Sequence, residues 1–441
     1  MFHKCSLFTG LVLTLATGTF TAACSTTRTA EPALVESAQR LEQDVRTLAG
    51  FGTRHTLSET ASDVRGIGAA RRWLAAEFER ISATHHEGRL EVSLAAHQVP
   101  PGRRVPEGAE VVNVMAVLPG RDPERYVVVS GHYDSRCSDP MDAHSDAPGA
   151  NDDASGTAVV LECARALAGL RPRATVVFLC VAGEEQGLLG AAAQAQAWAD
   201  AGITVEAFLT NDIVGGARGS NGRLEPDRVR LFSEGVPSAG PAVVGSDNDA
   251  PSRQLARFLE EHGELAVPGF DVDLIFRQDR YLRGGDHRAF NRLGVAAVRF
   301  TEPNENYDWQ HQDVRTEGGV LFGDRPEHVD YLFTARVAAV NGAGLRALAL
   351  APRPPENVAM DTSRLTPHTR LIWDDAPWEQ VSGWRVRVRP TSEPRWTESL
   401  DAGRFGEVLL EGRSKDNWLF AVEAYDDSGR SSLPVYPAPR N

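Results

Sequence analysis

The chain has 441 residues, 42% of them apolar, and carries 60 acidic against 46 basic residues for a net charge of −14. At ~150 residues per domain this length suggests two or three domains, and the apolar share suffices for a large core. The acidic balance argues against nucleic-acid binding, which needs a basic footprint.

Residues 1–24 stand apart from the fold. MFHK is positively charged, LFTGLVLTLATGTF is apolar but too short to span a bilayer, and the small residues TAAC follow. This is the pattern of a secretory signal. Cys24 after Ala22 and Ala23 resembles a bacterial lipobox, although Thr21 sits where a larger aliphatic residue is usual. Lipidated at Cys24, the protein would be anchored in the bacterial cell envelope (periplasm or outer membrane) without spanning a membrane. Plain secretion is the alternative. Residues 25–32 read as a polar tether. Apart from Cys24, the cysteines beyond the signal are Cys137, Cys163 and Cys180. An odd, small number in an exported chain is no disulfide framework. Cys163 and Cys180 fall in a helical and a strand pattern as small core residues; a pairing of Cys137 stays open.

From residue 33 the pattern turns periodic. Leu34, Ala38, Leu41, Val45 and Leu48 form one helical stripe; Ile67, Ala70, Leu74, Phe78 and Ile81 form another, with the loop GTRHTLS between them. LEVSLAAHQV and VVNVMAVLPG read as strands. RYVVVSG, ATVVFLCVAG and VEAFLTNDIVG are apolar runs, as in strands covered on both faces, and helical ASGTAVVLECARALAGL and LLGAAAQAQAWADAG alternate with them. This β-α-β-α-β order predicts an α/β fold with a mostly parallel central sheet flanked by helices. RLFSEG, FDVDLIFRQD and VAAVRF are further strands. SDNDAPSRQLARFLEEHGE opens with a cap and runs into a helix, and HVDYLFTARVAAVNGAGLRALALA closes the domain at 351. The Pro-rich stretch 352–358 is a linker. Residues 359–441 are β-patterned: in GWRVRVR, Trp384, Val386 and Val388 alternate with arginines, and the spacing of turns suggests a small all-β sandwich.

The chemistry centres on Glu184–Glu185, two adjacent acids between Gly183 and Gly187 at the end of a buried run. A strand sends neighbouring side chains to opposite faces, so both acids serve one site only if the backbone turns there, as glycines allow. His132, Asp152, Glu185 and Asp212 all fall at strand ends or helix entries, where sites gather in open α/β sheets. His311 follows VAAVRF in the same way, although His287 and His328 lie in the same part of the chain. Each residue has a structural alternative: His132 as a satisfied strand-end residue, Asp152 as a helix cap (a role that suits Asp153 better), Asp212 as a turn former, and His328 as a surface or cap residue. Taken together they point to nitrogen and carboxylate ligands for catalytic zinc, in a number that suits two ions sharing one carboxylate. Glu184 is then the general base, and Asp134 a carboxylate that holds the His132 imidazole. Asp286–His287 fits a role in the pocket or a purely structural one.

SGHYDS, GANDDASG, GEEQG, ND and the late QHQD, in this order, resemble the di-zinc aminopeptidases of the bacterial leucyl aminopeptidase and aminopeptidase Y type, over roughly residues 35–350. The resemblance implies a zinc-exopeptidase-like domain at 33–351. It implies one zinc on His132 and Asp212, a second on Glu185 and His311, and Asp152 bridging both. It also implies Glu184 as general base for attack by a metal-bridged hydroxide on the first carbonyl of a peptide substrate. The loop around His311 departs from the family pattern, since Tyr307 is followed by DWQHQD. The C-terminal segment resembles a fibronectin type III domain through Trp373, Trp384 and NWLFAVEAYDDSG, without implying catalysis. A glutaminyl cyclase or carboxypeptidase on the same scaffold, and a non-catalytic binding protein, are the rival readings.

Overall fold

The computed structural model describes residues 23–237, 249–374 and 381–440. Helix α1 (Ala23–Gly50) and helix α2 (Gly66–His85) precede strands β1 (Glu91–Val99), β2 (Ala109–Leu118) and β3 (Asp122–His132). Then α3 (Gly156–Ala166), β4 (Ala174–Val181), α4 (Leu189–Asp200) and β5 (Thr204–Asn211) alternate as the apolar runs predict. The domain continues with β6 (Arg228–Ser233), α5 (Pro251–Ala266), β7 (Asp271–Ile275), α6 (His287–Asn291), β8 (Ala297–Thr301), the hairpin β9 (Arg315–Glu317) and β10 (Val320–Phe322), and α7 (Tyr331–Leu350).

Strands β1 to β8 form one sheet in the order β1-β2-β4-β3-β5-β8-β6-β7. Pairs β3/β4, β3/β5, β5/β8 and β6/β7 are parallel. Pairs β1/β2, β2/β4 and β6/β8 are antiparallel. Parallel strands need covering on both faces, and every residue of β4 is buried. One core lies between the sheet and α1, α2, α3, α5 and α7, through Leu41, Phe78, Val159, Phe178, Leu259 and Phe333 among others. A smaller one, with Trp198, Phe208 and Phe290, lies under α4 and α6. Gly131 in β3 lets α3 approach, since a Cβ there would come within 2.5 Å of the Gly156 backbone. Cys163 and Cys180 are buried in the main core as expected, and Cys137 is a free thiol.

Three local readings change. Residues 25–32 belong to α1, with Pro32 inside the helix. Their polar composition does not set the backbone, and Leu34, the start of the apolar stripe, packs partly buried against the core. Helix α5 has no side-chain cap: Pro251 starts it, and Asp249 instead lies 3.0 Å from Arg257 Nη1 and beside Arg389. Residues 238–248, where part of the expected cap falls, lie outside the described residues. His328 ends a short turn, Pro326–His328, and stacks on Trp309; Asp330 caps α7.

Beyond α7, strands β11 (Ala359–Asp361), β12 (Thr369–Ile372), β13 (Gly383–Pro390), β14 (Glu398–Gly403), β15 (Glu407–Leu410), β16 (Trp418–Tyr425) and β17 (Ala438–Arg440) form two sheets, β15-β12-β11-β17 and β14-β13-β16. Both sheets contribute to one core around Trp373 and Trp384, whose rings are 6.2 Å apart. Among the described residues no helix is long and apolar enough to cross a membrane.

The loop GTRHTLS holds a feature that composition hides. Arg54 is fully buried and donates to four main-chain carbonyls: Tyr133 O at 2.6 Å, Leu48 O at 3.0 Å, Pro148 O at 2.5 Å and Gly149 O at 2.8 Å. It ties α1 to both ends of the loop that leaves β3. Arg54→Met is expected to lower unfolding free energy by about 3 kcal/mol, because buried acceptors lose a charged donor. A denaturant titration with an unchanged m-value would register this as a shifted midpoint.

Candidate metal centre

The parallel strands β3, β4 and β5 deliver their C-terminal ends to one edge of the sheet. His132 is the last residue of β3 and is buried. Its Nδ1 lies 3.1 Å from Asp134 O and 3.5 Å from Asp134 Oδ1, which turns Nε2 inward. Nε2 is 3.2 Å from Asp152 Oδ1 and 3.9 Å from Asp212 Oδ1. Asp134 has a second task. Its carboxylate accepts from the backbone N–H groups of Glu184 and Glu185, each at 3.2 Å, and from Thr56 Oγ1 at 3.2 Å. It therefore holds the turn after β4 as well as the imidazole. Gly183 makes that turn possible with φ +77°, a conformation costly for residues with a Cβ.

Asp152 lies in a wide helical turn, Ala150–Ser155, ahead of α3; the Asp152–Asp153 peptide is cis. The backbone there is fixed by Asp324, which accepts from Asn151 N at 2.8 Å and Asp152 N at 2.6 Å. Ser155, not Asp153, is the N-cap of α3 and makes no side-chain cap bond; Asp153 instead accepts from Gly156 N at 2.9 Å, His132 N at 3.0 Å and Ile213 N at 3.2 Å. It thus locks the exits of β3 and β5 to the start of α3.

His311 completes the set. Its Nε2 lies 2.8 Å from Asp152 Oδ2 and 2.9 Å from Glu185 Oε1. Two groups of three result, His132–Asp152–Asp212 and Asp152–Glu185–His311, each with donor atoms within 4.8 Å of one another. Asp152 belongs to both. All five expected ligands meet here, and Glu184 borders the same cavity. His287 does not join them: it is buried, its Nε2 is 2.8 Å from Gln278 O, and burial pulls its pKa down to about 4 despite Asp279. Asp286 is buried nearby and is pushed up to about 7 by burial and by Asp134 and Asp212, with His132 and Arg299 opposing.

Whether these residues suit metal ions can be tested on their own chemistry. His132 Nε2, Glu185 Oε1 and His311 Nε2 are buried and lie 2.8–3.2 Å from one another or from Asp152, yet none makes a well-directed hydrogen bond. Orphaned buried polar atoms cost about 1–3 kcal/mol each unless something else satisfies them. Burial alone would lower His311, yet Glu185 and Asp152 hold its pKa up to about 9. His132 is likewise held high against burial by Asp153, Asp134, Asp152 and Asp212. Burial also pushes Glu184 up, helped by Asp212, Glu185 and Asp286 and opposed by His132. The cluster thus demands positive charge, and its donors are imidazole nitrogen and carboxylate oxygen without thiolate, a set that suits catalytic zinc. The residues fit.

Arginines surround the ligands, and the sequence reading missed them. Arg299 in β8 is fully buried and sits 2.7 Å from Asp212 Oδ1. Arg136 Nε lies 3.0 Å from Glu185 Oε2, and its Nη2 2.6 Å from His311 Nδ1. Gln310 Nε2 donates to Asp152 Oδ2 at 3.1 Å. One signal was available: the single charge inside VAAVRF must find a partner at a neighbouring strand end.

Solved structures with this fold include the LapA aminopeptidase of Legionella pneumophila, with TM-score 0.54 and 19% identity over 79% of this chain and 81% of that one. A glutaminyl cyclase of Bacteroides thetaiotaomicron also matches, with TM-score 0.50 and 16% identity over 70% of this chain and 97% of that one. At such identities the likeness is one of fold. The sequence is more decisive. Residues 113–316 match the model of peptidase family M28. A probable zinc metalloprotease of the fungus Leptosphaeria maculans is 47% identical over 92% of this chain and 96% of its own length. This chain belongs to peptidase family M28. A second relative, a probable zinc metalloprotease of Pyricularia oryzae, is 46% identical over 91% of this chain and 82% of its own. The M28 chain is accordingly a zinc metallopeptidase, and the paired triads are its candidate metal site among the described residues. Asp152→Asn is expected to strip zinc from both triads, whereas His132→Ala leaves the Glu185–His311 side able to bind. Elemental analysis of the purified variants against wild type distinguishes the two losses.

Proposed function

We propose that this M28 peptidase is an exported di-zinc aminopeptidase that removes N-terminal residues from peptides. The observation that carries this reading is Asp152, shared by two complete ligand triads with Glu184 beside them. Zinc bound by His132, Asp152 and Asp212 and by Asp152, Glu185 and His311 would supply Lewis acidity toward a carbonyl and toward water. The chain's own groups do the rest. Glu184 takes a proton from the attacking water on a carboxylate oxygen. The new C–O bond forms in that attack, and Glu184 then returns the proton to the amine as the peptide C–N bond breaks. Asp134 keeps Glu184 and Glu185 in register by gripping their backbone N–H groups. Arg299 and Arg136 orient the carboxylates of Asp212 and Glu185 through charge-assisted bonds, which fix geometry more firmly than neutral ones.

Glu184→Gln keeps the shape of the site and removes its proton carrier. It is expected to lower kcat by about 10²–10⁴-fold while zinc content stays at the wild-type level. Aminoacyl chromogenic amides provide the assay, and chelation should abolish turnover in the wild-type protein. Activity that survives both treatments would overturn the mechanism. Cyclisation of an N-terminal glutamine in place of hydrolysis would instead favour a glutaminyl cyclase. Turnover only from the other end of the peptide would favour a carboxypeptidase.

Export rests on residues 1–24, and residues 1–22 lie outside the described residues. The reading includes lipidation of Cys24 and, for the two small sheets of residues 359–440, a fibronectin type III-like attachment module. In a bacterial host Cys24→Ser is expected to release the protein from the membrane fraction. An unmodified wild-type Cys24 by mass spectrometry would leave plain secretion.

A further inference from the structure

The cavity beside the two triads has a volume of about 280 Å³ and an unusual wall. Besides Glu184 and the ligands it is lined by Arg104, Arg136, Arg280, Arg283 and Arg288, with Leu188 and Leu282 among the apolar residues. Two of these arginines are spoken for. Arg136 pairs with Glu185, and Arg280 Nη1 lies 2.7 Å from Glu305 Oε2. The other three form no ion pair with a carboxylate among the described residues. Arg104 donates to the main-chain oxygen of Glu185. Arg283 Nη1 is 3.1 Å from His311 Nδ1, and its Nη2 is 3.3 Å from Gln310 Oε1. Arg288 Nη1 donates to Arg283 O at 3.4 Å, and its Nε is buried without a partner.

Three guanidinium groups around one cavity repel one another. The nearby carboxylates of Glu185, Asp212 and Asp152 are already engaged by Arg136, Arg299 and Gln310, and their oxygens are those that would hold metal ions. What relieves the repulsion is an anion with planar geometry matched to the guanidinium fork. A cationic side chain in the same place meets like charge, and a purely apolar one leaves the Arg288 Nε unsatisfied.

Resting on the peptidase reading, we propose that the preferred substrates carry a carboxylate that seats between Arg104, Arg283 and Arg288 while the scissile amide lies at Glu184. That carboxylate is either the side chain of an acidic N-terminal residue or the free C-terminus of a short peptide. Arg283 contacts His311 and Gln310, so Arg104 and Arg288 are the positions at which specificity can be altered without touching a ligand side chain.

The test uses the zinc-loaded full chain. One arm compares kcat/KM for Glu-, Leu- and Lys-p-nitroanilide, which lack a C-terminal carboxylate. The other compares Leu-Gly with Leu-Gly amide. Acidic over neutral in the first arm, or free acid over amide in the second, is expected by about tenfold or more, the worth of one charge-assisted contact. The arm that responds identifies the source of the carboxylate. Arg104→Gln and Arg288→Gln should each shrink that ratio toward one, and because a ratio is read, a shared loss of folding or metal cancels. A third measurement does not depend on turnover: calorimetric binding of glutarate against glutaramide to Glu184→Gln, with and without Arg288→Gln. Glutarate preference that Arg288→Gln removes, alongside a wild-type protein that cleaves no peptide, would sink the peptidase reading and keep only the carboxylate seat. Efficient cleavage with no charge preference in either arm, or a preference that both arginine variants leave intact, overturns the carboxylate site and leaves the peptidase reading standing.

Discussion

The centre of this molecule is a concentration of negative charge that the fold cannot tolerate unaided. Asp152, Glu185 and Asp212 converge within a few ångströms, with Glu184 and Asp134 close behind, at the dry end of a sheet buried on both faces. Isolated buried carboxylates are prohibitively costly, so such a cluster exists only with matching positive charge. Two imidazoles, His132 and His311, and two arginines that grip carboxylate oxygens, Arg299 and Arg136, are the answers visible in the chain. Much of the scaffolding nearby follows from that demand. Asp153 clamps three segment ends, Asp324 sets the backbone of Asp152, and Arg54 pins the loop between β3 and α3. Each holds a ligand-bearing segment that would otherwise be driven apart by like charge.

Much of this was legible in the sequence. The β-α-β-α-β alternation from β3 to β5 carried strong periodic signals, and the strand ends placed His132, Glu185 and Asp212 without any knowledge of distance. Asp152 and His311 needed more, since one lies in a turn ahead of a helix and the other in a long polar loop; the motif resemblance supplied the choice. Asp152 and Asp153 do take different places, Asp152 in both triads and Asp153 on the backbone N–H groups of His132, Ile213 and Gly156.

What escaped was the positive half of the site. Arg136, the pair Arg283 and Arg288, and Arg299 come from three different segments, and nothing in local spacing links Arg299 to Asp212, 87 residues away, or Arg136 to Glu185, 49 residues away. Patterning reads which face a residue takes, and it is silent on which distant partner it meets. The same blindness explains α1: the stretch 25–32 is polar, and its helical backbone is invisible to a reading based on apolar periodicity.

The pairing of Arg299 with Asp212 reaches beyond chemistry. Strands β5 and β8 run parallel with Thr210 opposite Arg299 and Asn211 opposite Phe300. Side chains alternate faces along a strand, so sliding β8 by a single residue would turn the guanidinium to the opposite side of the sheet. Asp212 would then stand alone and a buried cation would face a hydrocarbon layer, an error worth several kcal/mol. The ion pair therefore proofreads strand register during assembly, and a chain that has paired its strands wrongly is also one that cannot gather its ligands.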